Sequence, residues 1–239
     1  MNRFTKSLFS LLFTIIIIYI AIPYIETGIN NLMSYIKNEP VINTVDEVPP
    51  YDNKACITIN NNEPFFTEEE LSKTENFQNY SNLDYLGRCG RAEALLNYNN
   101  IATTARGKIS HVKPTGWMQK SYKGVIPDDY LYNRCHLLAY KLTGQNDNEK
   151  NLITCTRYMN VEGMLQYESK VMNYIYRNKN NNILYRVTPD FKDKELLSRG
   201  VLMEAYSKED NGALKFNVYC YNVQPKIEIN YKDGSNYLK

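Results

Sequence analysis

The stretch from Tyr132 to Ser169 restricts the fold of this chain more than any other part of it. It reads YNRCHLLAYKLTGQNDNEKNLITCTRYMNVEGMLQYES, in which a short strand-like run is followed by an Asn-rich loop and by apolar residues at helical spacing. His136, one of two histidines in 239 residues, ends the first run. The segment therefore predicts a strand that carries a histidine, then a loop, then a helix that carries asparagine.

The polar residues of this stretch suit one kind of chemistry. A histidine can accept a proton from water near neutral pH. A carboxamide oxygen, such as that of Asn160, is a neutral, hard ligand suited to Mg²⁺, which keeps most of its waters and also binds substrate phosphate. A histidine, a metal-binding amide and the carboxylate of Glu168 are together what a one-metal phosphodiesterase needs.

The same residues resemble the catalytic region of the DNA/RNA non-specific endonucleases, which have the ββα-metal (His-Me finger) active site. Among these the chain is most similar to surface and secreted nucleases of Gram-positive bacteria. The family motif Asp-Arg-Gly-His stands here as Asn133-Arg134-Cys135-His136, and the N-x-K-N element as residues 148–151. The resemblance extends through LGRCGRA, HVKPTGW, YRVTP and FNVYCYNVQP, and so covers roughly residues 55–232.

The resemblance implies a role for each matching residue. His136 is expected to be the general base, and Asn160 the direct ligand of a hydrated Mg²⁺, with Mn²⁺ as a substitute. Glu168 is expected to hold metal-bound water, and Asn151 to order the site around the histidine. Arg134 is the motif arginine, which either stabilises phosphate or supports the fold.

Three further cations, Arg88, Arg106 and Lys113, are candidate contacts for substrate phosphate. Residues 100–178 hold eleven Lys and Arg against six Asp and Glu, although the net charge of the whole chain is only +2. This local excess suits a cleft that attracts polyphosphate, but a solvated basic face has the same composition.

Each of these side chains also has an ordinary structural interpretation. On pattern alone, His136 is a buried structural histidine, Asn160 a helix N-cap and Glu168 a carboxylate at the edge of an apolar stripe that reaches solvent. His111, the second histidine, is structural or lies beside the substrate. Cys135 is not expected to act as a nucleophile with His136, because neighbours in a strand point to opposite faces.

Two positions depart from the family motif. Asn133 replaces the usual Asp and removes a negative charge beside the site, and Cys135 replaces Gly. Neither change removes a catalytic atom, so they affect the expected rate and pH optimum more than activity itself. The five cysteines match no zinc-binding spacing, and their odd number leaves at least one outside any internal disulfide.

The N-terminus indicates export. Residues 7–25 form an uncharged run of 19 residues, long enough for a membrane-spanning helix, and Arg3 and Lys6 precede it. Residues 1–26 are predicted to be a signal anchor, or a signal peptide if they are cleaved, although no clear A-x-A site follows. The catalytic domain is then expected outside the cell membrane, or secreted after cleavage.

The remaining chain divides into a polar linker at residues 27–54 and a domain at residues 55–239. The domain is predicted to be α+β, with the ββα-metal finger packed on a mainly antiparallel sheet and preceded by the N-terminal transmembrane helix. Strands are predicted at residues 55–59 and in three β-rich segments after residue 181, with Asn211-Gly212 as a hairpin turn. Residues 160–178 are predicted to form the helix of the finger.

The expected function is that of a metal-dependent, sugar- and sequence-non-specific endonuclease. It would bind DNA, and RNA as well, through the phosphate backbone and the membrane through its N-terminal helix; no protein partner is inferred. The alternative is a catalytically weak or inactive surface module that holds DNA for uptake. A phosphodiesterase for another polyanion is a third hypothesis.

Overall fold

A computed structural model describes Ile22 and residues 41–239 of the chain, and residues 42–239 form one compact unit. Among the residues described, no helix is both long and apolar enough to cross a membrane. The predicted anchor at residues 1–26, apart from Ile22, and the first part of the predicted linker lie outside the described residues. The architecture of the compact unit is mixed α/β, with a mainly antiparallel sheet.

Six strands form the central sheet in the order β1-β8-β7-β6-β3-β2, and every neighbouring pair is antiparallel. Two smaller antiparallel pairs, β4–β5 and β9–β10, lie outside this sheet. The strands are β1 Cys56–Thr58, β2 Gln78–Tyr80, β3 Ala92–Leu96, β4 Tyr132–His136, β5 Leu152–Thr156, β6 Ile183–Asp190, β7 Gly200–Ser207, β8 Lys215–Tyr221, β9 Ile227–Ile229 and β10 Asn236–Leu238.

The strand predictions are confirmed where the sequence is rich in β-branched and aromatic residues. The three predicted segments after residue 181 become β6, β7 and β8, the longest strands among the residues described. Asn211 and Gly212 have φ angles of 54° and 77° in the turn between β7 and β8. Such left-handed backbone angles are favoured by Asn and Gly, which explains why this dipeptide marks the hairpin.

Within residues 41–239, three α-helices accompany the strands: α1 Glu68–Ser72, α2 Tyr140–Thr143 and α3 Leu165–Arg177. Helix α1 begins with a capping box, in which the Thr67 side chain accepts from the Glu70 N–H and Glu70 accepts from the Thr67 N–H. The helix predicted over residues 160–178 is present, but its first part, Met159–Met164, is a π-helical turn. Turns of this kind are rare and are found mostly at functional sites.

One face of the sheet carries the finger, which consists of β4, β5 and helix α3. Buried residues of helix α3, including Val171 and Ile175, join apolar side chains of the sheet and of the β4–β5 pair in the largest apolar cluster among the residues described. The finger is therefore held to the sheet by apolar burial, which is the dominant favourable contribution to folding.

The opposite face of the sheet carries a buried ionic cluster beneath helix α1. The Arg186 guanidinium lies 2.8 Å from both Glu204 and Glu70 and 3.8 Å from Glu93. Its carbon Cζ is 4.4 Å from the centroid of the Phe66 ring. Because the charges are paired and hydrogen-bonded, they can lie beneath the helix at a tolerable desolvation cost.

The compact unit begins near Ile42 rather than at residue 55, where the sequence places the boundary between linker and domain. Apolar residues of this segment, among them Val45, Val48 and Tyr51, cover a second apolar cluster built on β7 and β8. The Tyr221 hydroxyl donates to the Pro49 carbonyl at 2.9 Å. The apolar side chains scattered through a polar-looking segment explain why it packs against the sheet.

Candidate active site

His136 is the last residue of β4 and is almost fully buried. Its Nε2 atom lies 2.7 Å from the main-chain carbonyl oxygen of Asn146. A carbonyl oxygen can only accept, so Nε2 carries the proton and Nδ1 of the neutral ring keeps its lone pair. Burial, together with the charge of Arg106, lowers the pKa of His136 and so favours this neutral form.

Asn146 fixes a second segment as well. Its side-chain carbonyl accepts a hydrogen bond of 3.0 Å from the main-chain N–H of Gly107, the residue after Arg106. A Cβ at Gly107 would lie 2.8 Å from Asn146 Nδ2, so glycine permits this close approach. One residue therefore holds both the histidine ring and the loop that carries Arg106.

The loop around Arg106 is also attached to helix α2 by several hydrogen bonds. The Tyr140 hydroxyl lies 2.9 Å from the Thr104 hydroxyl, and the Lys141 ammonium donates to the Ala102 carbonyl at 2.6 Å. These bonds tie consecutive parts of an exposed loop to the helix that follows His136. Arg106 is thereby positioned although the loop has no regular secondary structure.

These elements enclose a cleft of about 240 Å³. Its lining contains five of the residues predicted for the site together with three that were not predicted. The eight lining residues are Arg106, Arg134, His136, Ala139, Tyr140, Lys141, Asn160 and Glu168. The cleft thus combines a neutral histidine, an amide, a carboxylate and three cations.

Glu168 enters the cleft from the first turn of α3, and Asn160 from the π-helical turn before it. Burial raises the pKa of Glu168 to about 7, and the Arg106 charge opposes that rise. Among residues 41–239, no hydrogen bond or ion pair joins the Glu168 carboxylate to another group at bonding distance. A half-buried carboxylate with this environment is a group that a cation would stabilise.

The donor set fits a hydrated divalent ion rather than a fully enclosed metal cage. Within the described part of the chain, no cluster of three or more His, Cys, Asp or Glu side chains could surround a metal. Mg²⁺ does not require such a cluster, because it is commonly held by one or two protein oxygens and keeps its remaining waters. Asn160 and Glu168 supply one neutral and one anionic oxygen group in the same cleft.

Asn151 is completely buried and does not line the cleft. Its side chain accepts from the Leu138 N–H at 2.9 Å and donates to the Leu138 carbonyl at 3.0 Å. Its own carbonyl accepts from the Leu137 N–H at 2.8 Å. Asn151 therefore braces the two residues that follow His136, in the manner expected of a residue that orders the site.

Arg134 lines the cleft and also clamps the loop before β4. Its guanidinium donates to the Ser110 carbonyl at 2.9 Å and to the Val112 carbonyl, and lies 4.0 Å from the centroid of the Trp117 ring. These contacts are those of a residue that supports the fold, which is one of the two roles expected for Arg134.

Two predicted phosphate contacts do not line the cleft. Arg88 pairs with Asp84 at 2.7 Å and donates to the main-chain carbonyls of Asp193 and Glu195 at 2.9 and 3.0 Å. The guanidinium N–H groups of Arg88 therefore join two loops of the protein. Arg88 has these internal partners because it lies beside the acidic turn at Asp84. Lys113 is exposed, on the loop that Arg134 clamps.

The cysteines form two disulfides in the described residues, Cys56–Cys220 and Cys135–Cys155, and leave Cys89 free and buried. Cys135 is thus bonded across the β4–β5 pair and is not available as a nucleophile for His136. Burial raises the pKa of the Cys89 thiol to about 12, so this thiol is unreactive at neutral pH.

A model of the DNA/RNA non-specific endonuclease family matches residues 69–209, more than half of the 239 residues and all of the cleft described above. The chain belongs to this family.

Two solved nucleases share the fold of this endonuclease family member. NucA from Streptococcus agalactiae, without metal, has a TM-score of 0.70 and 25% identity over 82% of this chain and 92% of NucA. Its magnesium-bound form gives a TM-score of 0.70 and 24% identity over 82% and 93%. The Sda1 nuclease, solved with a bound zinc ion, has a TM-score of 0.62 and 27% identity over 68% of this chain and 82% of Sda1.

A deoxyribonuclease from Streptococcus dysgalactiae subsp. equisimilis is 34% identical over 116 residues, which are 47% of this chain. The chain spans 35% of the length of that relative. The similarity therefore concerns a domain within a longer protein.

Sequence reasoning did not single out Asn146, Tyr140 or Lys141. Each follows His136 within ten residues, Tyr140 and Lys141 in helix α2 and Asn146 in the loop after it, and nothing in their spacing distinguishes them. Asn146 acts mainly through its main-chain carbonyl, which every residue has. Only the fold of the loop reveals its role.

We predict that Asn151→Ala lowers the free energy of unfolding of this endonuclease by about 2–4 kcal/mol, because it leaves the buried N–H and C=O of Leu138 without partners. Chemical denaturation measures this loss. The exposed Asn180→Ala is the matched control, with an expected change below about 0.5 kcal/mol. Equal stability of the two variants would show that Asn151 does not brace the turn after His136.

Proposed function

We propose that this chain is a metal-dependent, sugar- and sequence-non-specific endonuclease that hydrolyses phosphodiester bonds of DNA and also of RNA. The observation that carries the proposal is the His136 ring, whose Nε2 donates to the Asn146 carbonyl, so that Nδ1 of the neutral ring is the nitrogen with a lone pair for a proton. That ring lines the same cleft as Asn160, Glu168 and Arg106. Membership in the endonuclease family and the nuclease structures of the same fold support it.

The residues of the cleft divide the reaction between them. His136 Nδ1 takes a proton from the attacking water while the water oxygen bonds to phosphorus. The bond from phosphorus to the 3′ oxygen breaks, and that oxygen takes a proton from water. One product then ends in a 5′-phosphate and the other in a 3′-hydroxyl. Arg106 lies where it can attract the phosphate, and its positive charge also helps to keep His136 unprotonated.

Asn160 would hold a divalent ion directly, and Glu168 would hold water of its hydration shell. Such an ion, Mg²⁺ with Mn²⁺ as a substitute, would supply positive charge that offsets the negative charge of the reacting phosphate. The magnesium ion bound in one NucA structure and the zinc ion bound in Sda1 support a divalent metal for this fold.

The alternative, a module that holds DNA without cutting it, requires only a basic surface. The cleft contains more than this, because a base, an amide and a carboxylate line it together with the cations. No observation favours the binding module over the enzyme.

We predict that His136→Ala lowers the rate of plasmid cleavage by at least about 10²- to 10⁴-fold and leaves DNA binding nearly intact, because it removes the base. The matched control is His111→Ala, which removes an exposed histidine 3.5 Å from Asp147 and should retain activity. Supercoiled plasmid with added Mg²⁺ is the substrate. Cleavage by His136→Ala within tenfold of the unmodified protein at pH 8 would exclude His136 as the base.

We predict that Asn160→Ala and Glu168→Ala both raise the Mg²⁺ concentration needed for half-maximal cleavage, with the greater loss for Asn160. Removal of a group that orients metal-bound water costs about 10- to 100-fold in affinity or activity. Glu162→Ala, at an exposed carboxylate of the same π-helical turn, is the control. If Glu168→Ala and Glu162→Ala give the same Mg²⁺ titration, Glu168 does not act on the metal.

We also propose that the enzyme acts outside the cytoplasmic membrane, held there by residues 1–26 or released after their cleavage. The sequence supports this with Arg3 and Lys6 before a 19-residue apolar run. Protease added to intact protoplasts should degrade full-length, membrane-bound protein. Full-length protein protected inside the protoplasts would contradict an external location, and a shortened form found only in the medium would indicate a signal peptide.

A further inference from the structure

An exposed pair of aromatic rings lies at the far end of helix α3 from the cleft. The Tyr98 and Tyr176 rings are 5.8 Å apart, edge to face, and these residues are 38% and 43% exposed. The Lys179 ammonium lies 4.6 Å from the centroid of the Tyr98 ring. Neither the fold nor the cleft accounts for two large, exposed aromatic rings beside a cation.

Two segments of the chain each connect the aromatic pair to the cleft. Helix α3 carries Glu168 in the cleft and Tyr176 two turns later. The loop after β3 starts at Tyr98 and reaches the cleft at Arg106. Because the segments meet at both ends, the aromatic pair and the cleft are two ends of one surface.

The surface between these ends is built on the apolar core. Ile101 of the loop and Met172 of the helix are both partly buried against the main apolar cluster. The Ala102 N–H donates to the Lys141 carbonyl at 2.9 Å, which ties the loop to the cleft wall. The aromatic pair therefore has a fixed distance from the cleft.

Hydrogen bonds of the preceding residue, Asn97, also hold Tyr98 in place. Asn97 forms a capping box with Asn100 at the start of the short 3-10 helix Tyr98–Asn100. The Asn97 amide donates to Asn182 at 3.0 Å, across to the turn that follows Lys179. Rings fixed in advance lose little conformational entropy when they bind a ligand.

Distance and charge both match a nucleic-acid strand that passes through the cleft. Eight residues separate Glu168 from Tyr176, and at about 1.5 Å per residue they span about 12 Å. A strand that keeps its helical base stacking, with a rise of about 3.4 Å per nucleotide, covers this distance in three to four nucleotides. The run from Ser169 to Asn182 holds Lys170, Arg177 and Lys179 and no acidic residue, and the neighbouring Glu209 carboxylate accepts two hydrogen bonds of 2.6 Å from Asn182. A strand that leaves the cleft along α3 would meet Lys170 first and then the aromatic rings with Lys179 beside them.

We propose that Tyr98, Tyr176 and Lys179 form an accessory subsite that stacks one unpaired nucleobase of the strand being cut, three to four nucleotides from the scissile phosphate. Stacking on aromatic rings tolerates every base, and so agrees with cleavage without sequence specificity. Bases inside a duplex are covered by their neighbours, so the subsite would act on single-stranded DNA or RNA. The inference rests on the proposed endonuclease function.

The test compares the double variant Tyr98→Leu/Tyr176→Leu with the unmodified full-length protein. The substrates are single-stranded oligothymidylates of two to eight nucleotides. For the unmodified protein, kcat/KM should rise with strand length until the strand extends three or four nucleotides from the cut. The variant should lose that rise, a loss of about five- to tenfold on the octamer. Cleavage of duplex plasmid should stay within about twofold.

Matched variants separate stacking from a structural role. The double variant Tyr98→Phe/Tyr176→Phe keeps both rings and should cleave the octamer normally. Tyr237→Leu, at a 60% exposed tyrosine of the β9–β10 pair, should also leave the octamer unaffected. Lys179→Gln should weaken octamer binding and reduce its salt dependence.

Binding of labelled octathymidylate without divalent metal keeps the inference independent of catalysis. Weaker binding by the leucine variant alone would support the subsite even if no preparation cleaved DNA, an outcome that would contradict the endonuclease function instead. If the leucine variant lost cleavage of the octamer and of the plasmid equally and had a lowered Tm, the rings would only stabilise α3. An unchanged octamer affinity would also overturn the inference.

Discussion

The attachment of helix α3 and the β4–β5 pair to one face of the six-stranded sheet is the constraint on which the cleft depends. His136 comes from β4, Glu168 from α3 and Asn160 from the π-helical turn between β5 and α3. Apolar side chains of all three elements, among them Met159 and Val171, lie in one buried cluster with the sheet. If that cluster were loosened, the three polar groups would separate, because no strong bond joins them directly.

The two faces of the sheet are covered by different kinds of contact. The finger face buries apolar side chains, whereas the opposite face buries Arg186 among the carboxylates of Glu70, Glu93 and Glu204. An ion cluster of this kind adds little net stability compared with apolar residues, but loss of one member leaves a buried charge uncompensated. The cluster therefore fixes helix α1 on the side of the sheet away from the chemistry.

Electrostatics in the cleft is organised around a single exposed loop. Arg106 lies close enough to lower the pKa of His136 and to oppose the rise in the pKa of Glu168. The same charge thus favours a neutral base and an ionised carboxylate, which are the states that hydrolysis with a divalent metal requires. That loop has no helix or strand of its own, and Asn146, Tyr140 and Lys141 hold it by hydrogen bonds.

The sequence alone determined the α+β class, the hairpin at Asn211-Gly212 and the family, because these depend on local patterns and short motifs. It also nominated His136, Asn160, Glu168, Arg134 and Arg106, which the structure brings into one cleft. Only the tertiary structure decided the tautomer of His136, the internal partners of Arg88 and the inclusion of residues 42–54 in the compact unit. Each of these depends on main-chain groups or on surfaces distant in sequence, and such contacts leave no pattern in the residues themselves.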